Sequence, residues 1–210
     1  MENVDRCFYI NLDECIDRRT LIEGELAKLA LPFVERFSAI KHEKGYIGCT
    51  LSHIACLRKA IHCGYSCVFV CEDDMVIQDA TELQRSVERF FRETADGSWD
   101  VLIICGNVLH PVKVHSPVAL RVYNCQTTSG YIVAKHYLPV LLQNFEQGMD
   151  NLHRNPRCDT FRIDMFWKHL QRRDRWYAIQ PFNAYQAPGL YSTIEKKVVD
   201  YKDMMLRVGF

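Results

Sequence analysis

Ser66-Cys67-Val68-Phe69-Val70-Cys71-Glu72-Asp73-Asp74-Met75-Val76-Ile77 is the stretch on which the fold turns. A short run of small, apolar and β-favouring residues meets three consecutive carboxylates, after which the chain becomes apolar again. Such a run suits a strand buried inside an α/β sheet. Adjacent carboxylates repel one another and are costly to desolvate without a neutralising cation. Ligands of open α/β sheets gather beyond the carboxyl ends of strands, so the acidic triplet is the candidate metal site. On an extended chain Glu72 and Asp74 share one side and Asp73 takes the other.

The segments around it alternate. Residues 7–12 (Cys-Phe-Tyr-Ile-Asn-Leu) predict a first buried strand. A helix carrying Leu21, Ile22, Leu26 and Leu29 follows and stops before Pro32, and residues 33–37 predict a second strand. Gly45 and Gly48 bracket a loop, and residues 49–62 predict a helix with Ile54, Leu57 and Ile61 inward. Beyond the triplet, Thr81 and Gln84 fit a capping box for a helix with Leu83, Val87, Phe90 and Phe91 on one stripe. Residues 99–106 predict another buried strand, 107–117 a surface loop near the site, and 119–123 and 129–134 further strands. A helix through Tyr137, Leu141, Leu142 and Phe145 leads to a mobile loop over 146–160. A helix over 163–171, a strand at 176–179 and a Pro- and Gly-containing tail complete the chain. This order predicts an α/β protein with a mostly parallel sheet flanked by helices, a single domain over 1–210 with its core at about 6–195.

Composition narrows the function. The 26 basic residues balance the 26 acidic ones, which gives no argument for nucleic acid or an anionic membrane as partner. The first fifteen residues include Glu2, Asp5, Arg6, Asp13 and Glu14, so they hold no apolar leader, and no run of about 20 apolar residues marks an integral membrane segment. The ten cysteines include no Cys-x-x-Cys pair, and Cys49, Cys56 and Cys63 recur every seven residues along one helix. With no Asn-x-Ser/Thr sequon, they read as core thiols in a reducing compartment.

Five ordered motifs now stand out: Asn11-Leu12-Asp13 with Asp17-Arg18-Arg19, Gly48-Cys49-Thr50-Leu51-Ser52-His53, Glu72-Asp73-Asp74, Ser129-Gly130-Tyr131, and Ile163-Asp164. Together they resemble glycosyltransferase family 25, which includes lipopolysaccharide and lipooligosaccharide biosynthesis sugar transferases and collagen galactosyltransferases. The resemblance runs from about residue 7 to 194. It implies a GT-A type fold, a UDP-sugar donor carrying galactose or glucose, and Mn2+ or Mg2+ held by Asp74 with Glu72 contributing through water or to the ribose. Oxygen ligands suit these hard cations. The acceptor it implies is a glycan, lipid-linked or protein hydroxyl. Without a leader, the expectation is a cytoplasmic protein of a bacterium or virus. One departure is Thr193, where relatives more often carry Asp.

The resemblance gives the motif residues roles. Asp164, which by itself reads as a helix cap, becomes the candidate general base of an inverting displacement. Asn11, Asp13 and Arg18 follow the first strand, where nucleotides bind; Arg18 pairs either with diphosphate or with a surface carboxylate. Ser52 and His53 are candidate donor contacts through the resemblance, although His53 by itself reads more readily as a packed or capping histidine than as a ligand. Glu72, Asp73, Ser129, Gly130, Tyr131 and Gln186 complete the donor set, Gly130 allowing close backbone approach. Two other readings remain open. A phosphohydrolase would need Asp in place of Glu72 as nucleophile, and a noncatalytic nucleotide-sugar-binding module would have no chemical need for Asp164.

Overall fold

The structure is a computed structural model that describes residues 1–192 and 197–209; Thr193 lies outside them. Its centre is an eight-stranded sheet in the order β2-β1-β3-β8-β5-β9-β7-β6. The strands are β1 (Arg6–Asn11), β2 (Val34–Ser38), β3 (Cys67–Glu72), β5 (Val101–Val108), β6 (Val112–Ser116), β7 (Ala119–Val122), β8 (Cys125–Ala134) and β9 (Trp176–Ile179). β2, β1 and β3 are parallel, as are β5 and β9, while β8 and β7 run against their neighbours. Short antiparallel ribbons join β4 (Met75–Ile77) to β10 (Ala184–Gln186) and β11 (Leu190–Ser192) to β12 (Lys197–Val199).

Alternation along β1 builds two cores. Cys7 and Tyr9 face one layer with Ile22 and Leu26 of α1 (Ile16–Leu26) and with Val87 and Phe90 of α3 (Ala80–Glu93). Phe8 and Ile10 face the other, with Ile54 and Leu57 of α2 (Gly45–His62) and Leu141 and Phe145 of α4 (Leu138–Arg154). α1 and α2 therefore cover opposite faces, and β2 and β3 lie on opposite sides of β1. The chain reverses its winding between β1 and β3, and this opens a crevice at their carboxyl ends. Register puts Ile10 beside Glu72 and Cys71 beside Gly130, so Asn11, the acidic triplet and the start of β8 converge there.

Several local expectations give way to tertiary packing. α2 begins at Gly45, and Gly48 lies inside it. A Cβ on Gly48 would collide with the Ile40 carbonyl oxygen, so only glycine lets the helix approach the segment after β2 this closely. Gly48→Ala is expected to cost about 1–3 kcal/mol through overpacking, read as a lower urea midpoint; an unchanged midpoint would show that the contact can relax. The expected loop over 107–117 is instead the end of β5 and β6, which pairs with β7 at the sheet edge, away from the crevice apart from Asn107. Val112 and Val114 supply the strand's alternation, and Pro111 and Pro117 flank it where no ladder donor is needed. The expected mobile loop from 146 is helix as far as Arg154, because Met149 and Leu152 continue the buried stripe of Leu141 and Phe145. Asp79, not Thr81, caps α3, accepting from the Glu82 N–H at 2.9 Å. The helix expected over 163–171 divides into α5 (Ile163–Phe166) and α6 (Lys168–Arg173) around buried Trp167, and α7 (Lys202–Met205) follows the ribbons. All ten cysteines are free thiols; Cys7, Cys56, Cys67, Cys71, Cys105 and Cys125 are buried. No helix of the described residues is long and apolar enough to cross a membrane.

Candidate active site

β3 ends at Glu72, and Asp73 and Asp74 form the turn into β4. Leaving the strand breaks the side-to-side alternation, so the expected pairing of Glu72 with Asp74 does not hold. Asp73 and Asp74 instead share the guanidinium of Arg18, which donates from Nε to Asp73 Oδ1 at 2.7 Å and from Nη2 to Asp74 Oδ2 at 3.0 Å. Asn11 Nδ2 donates to the other Asp73 oxygen at 2.7 Å. Gln186, brought up by the β4–β10 ribbon, donates to Asp74 Oδ2 at 3.3 Å. Burial, and then the charge of Glu72, push the Asp74 carboxyl up to about 7 against the pull of Arg18. Burial also raises Asp73 despite its ion pair, since desolvation outweighs Arg18 and Asn11.

Glu72 turns to the other side. Thr128 Oγ1 donates to its Oε1 at 2.6 Å, and His53 Nε2 lies 3.3 Å from the same oxygen. Burial opposes its ionisation, but the hydrogen bonds and charge of its neighbours win and hold its pKa below the usual glutamate range. His53 is fully buried, stacks on Tyr131 and is hydrogen-bonded through Nδ1 to the Tyr131 hydroxyl at 2.8 Å.

Two cavities flank this strand end. One, of about 200 Å³, is lined by Leu12, Arg18, Ala39, Ser52, His53 and Asp73 among others. The second, of about 240 Å³, contains Asn107, Gln126, Thr127, Thr128, Asp164 and Gln186. Cys49 and Glu72 line both, forming the wall between them. Asp164 opens α5 and accepts from the Thr127 N–H at 3.2 Å. Thr127 has φ 64°, the left-handed region that costs a β-branched residue strain, and this conformation accompanies the N–H contact to Asp164.

The structure thus brings Arg18, Ser52, His53, Glu72, Asp73, Asp164 and Gln186 to one crevice, with Asn11 and Asp74 buried against it and bonded to Asp73, Arg18 and Gln186 but lining neither cavity. Ser52 is tied into the fold, donating to the Gly48 carbonyl at 2.7 Å and accepting from the Ile40 N–H at 2.8 Å. Asp13 lies apart: it is exposed, pairs with Arg36 and lines neither cavity. Ser129, Gly130 and Tyr131 also line neither; Gly130 packs on Met75 and Cys105. The residues of β8 that reach the second cavity are Gln126, Thr127 and Thr128, just before that motif. Cys49 was visible within the quoted Gly48–His53 motif, whereas Thr127 and Thr128 carry no local signal and are placed by strand pairing.

Residues 42–100 match glycosyltransferase family 25 (LPS biosynthesis protein). No curated protein matches the chain. Among solved structures, it is similar to a glycosyltransferase involved in the glycosylation of the major capsid of PBCV-1, at 12% identity over 95% of this chain and 97% of that one, with a TM-score of 0.53. It is also similar to mannose-1-phosphate geranyltransferase from Thermus thermophilus, at 9% identity over 89% of this chain and 75% of that one, with a TM-score of 0.50. These likenesses are of fold, and the sheet with its flanking helices is GT-A-like. The matched segment runs through α2, β3, the acidic turn and α3; α2, β3 and the turn supply walls of the crevice, so that part of the chain is similar to glycosyltransferase family 25, a likeness that supports a glycosyltransferase.

Proposed function

We propose that this protein is a glycosyltransferase that moves galactose or glucose from a UDP-sugar to a hydroxyl of a glycan, lipid-linked or protein acceptor, with inversion at the anomeric carbon. The observation that carries the reading is Asp164 lining the same cavity as Glu72 at the acidic strand end, with the cavity of Arg18 and Asp73 on the other side of Glu72. The cavity lined by Arg18 and Asp73, with Asn11 buried behind Asp73, takes the nucleotide, and Arg18 can exchange a carboxylate for a diphosphate oxygen there. Ser52 and His53 line the same cavity as donor contacts. The Ser129–Gly130–Tyr131 strand supports the donor site from behind it, Tyr131 by orienting His53, while Asp13 stays at the rim, paired with Arg36.

The acidic turn fits a hard divalent cation, Mn2+ or Mg2+. Asp74 Oδ1 is buried with no partner, as is the Gln186 side-chain oxygen beside it, and oxygen donors match that class of ion. Asp74 would hold it directly and Glu72 through water or by charge. A bound cation would stabilise negative charge on the departing diphosphate as a Lewis acid. The Asp164 carboxylate removes the proton of the acceptor hydroxyl as its oxygen bonds to the anomeric carbon, and the bond to the diphosphate breaks. Burial raises the Asp164 pKa, which favours proton uptake.

Donor hydrolysis tests the reading: purified protein is incubated with UDP-, GDP-, CMP- and ADP-sugars, with Mn2+ or chelator, and released nucleotide is measured. Metal-dependent release from a UDP-hexose, falling by about 10²-fold or more in Asp74→Ala, is the expected result. Release that is equally fast in chelator would remove the metal from the reading. Tight donor binding with neither hydrolysis nor transfer would favour a binding module.

A further inference from the structure

One turn apart on α2, Cys49 and His53 present their side chains to the same carboxylate at the end of β3. The thiol of Cys49, a ring nitrogen of His53 and a carboxylate oxygen of Glu72 all lie within 4.8 Å of one another. Cys49 Sγ is 3.9 Å from Glu72 Oε1, and His53 Nε2 is 3.3 Å from it. A tetrahedral zinc ion, with bonds of about 2.0–2.3 Å, holds its ligand atoms roughly 3.3–3.5 Å apart. His53 Nε2 and Glu72 Oε1 already stand at a ligating separation, and the Cys49 thiol must move closer to complete the set.

The surroundings supply an independent sign. Metal-bound histidines are usually oriented by a hydrogen bond at their other ring nitrogen, and metal-bound carboxylates are themselves hydrogen-bonded. Here the Tyr131 hydroxyl meets His53 Nδ1 at 2.8 Å, and Thr128 donates to Glu72 at 2.6 Å. A neutral imidazole donates from only one nitrogen. Without a cation Nε2–H can donate to Glu72; a bound cation would replace that proton, the tautomer with Nδ1–H donating to Tyr131 then turning the Nε2 lone pair toward it. Access exists on both sides, since Cys49 and Glu72 line both cavities.

We propose that Cys49, His53 and Glu72 form a site for a borderline divalent cation, Zn2+ or its substitute Co2+, which does not use Asp74 and has only Glu72 in common with the oxygen-donor position there. A thiolate and an imidazole in the donor set favour such ions over Mg2+ and Mn2+. On binding, the Cys49 thiol gives its proton to solvent, and the fourth position is left to water or a ligand entering from a cavity. The site rests on no assumption about the sugar donor or acceptor.

Co2+ alone, titrated into the metal-free full chain, tests the proposal by optical absorption. The expected result is a thiolate-to-cobalt charge-transfer band at one equivalent, lost on adding Zn2+, absent in Cys49→Ser and kept in Asp74→Ala. No band in the wild type, a band that survives in Cys49→Ser, or one lost in Asp74→Ala overturns it. A second measurement needs no variant: Zn2+ is expected to slow alkylation of Cys49 at least tenfold, read by peptide mass spectrometry, while exposed Cys63 labels at its former rate. Equal labelling of Cys49 with and without Zn2+ overturns the proposal whatever the variants do.

Discussion

Asp164→Asn is expected to lower sugar transfer by about 10²–10⁴-fold, the usual contribution of a positioned general base, with little change in donor KM. The side chain keeps its shape and an oxygen that accepts from the Thr127 N–H, so the loss isolates the proton step. Burial, and the charge of Glu72, raise the Asp164 pKa, while hydrogen bonds from the backbone lower it less. The base must be ionised to act, so kcat/KM climbs with pH through a value above the ordinary aspartate range, and the substitution removes that acidic limb. Stability moves in the other direction. A carboxyl whose pKa is raised by folding binds more protons folded than unfolded, so its ionisation opposes folding as pH rises through that range. The variant is therefore expected to be at least as stable as the wild type at neutral pH. Normal transfer with an intact acidic limb would assign the base elsewhere.

The second large effect is structural. Trp167→Ala is expected to cost about 3–5 kcal/mol, a large share of the roughly 5–15 kcal/mol that holds a domain folded. Trp167 is fully buried at the joint between α5 and α6, with Trp176 at 5.1 Å and Tyr131 at 5.8 Å, both edge to face, and Phe145 tilted at 6.3 Å. Its indole N–H donates to the Cys125 carbonyl at 2.9 Å. Trp167→Phe is expected to lose much less, about 1 kcal/mol for the hydrogen bond plus part of the ring, because Gln171 still donates to that carbonyl at 3.0 Å. Urea unfolding monitored by far-UV circular dichroism measures both; a loss below about 1 kcal/mol for Trp167→Ala would show that the cavity collapses around the missing ring.

What the residues reveal by themselves follows the range of the forces involved. β3 and its acidic end were legible because an apolar run meeting carboxylates is a local contrast. The carboxyl ends of the strands were legible as the place for ligands, since strand, helix and strand at the start imply a doubly wound sheet; where the winding reverses is set by β3 joining β1 on the side opposite β2. Arg18 appeared only as a cation with two equal uses, and the structure shows it between Asp73 and Asp74. Thr128 is the partner of Glu72 through the pairing of β3 with β8, 56 residues away in sequence, and no local pattern announces such a contact. Alternation failed at Asp73 because it belongs to strands, and the strand had already ended. The Asn, Arg and Gly content of residues 146–160 reads as a loop, although Met149 and Leu152 keep the buried period and α4 runs on to Arg154.

The wall between the two cavities has a thermodynamic consequence. Cys49 and Glu72 belong to both, so a molecule that shifts either side chain from one side alters the free energy of occupation on the other. Such coupling is reciprocal: if filling the Arg18 cavity changes affinity in the Asp164 cavity by some factor, filling the Asp164 cavity changes the first affinity by the same factor. Two residues thus tie the occupancies of the two chambers into one equilibrium.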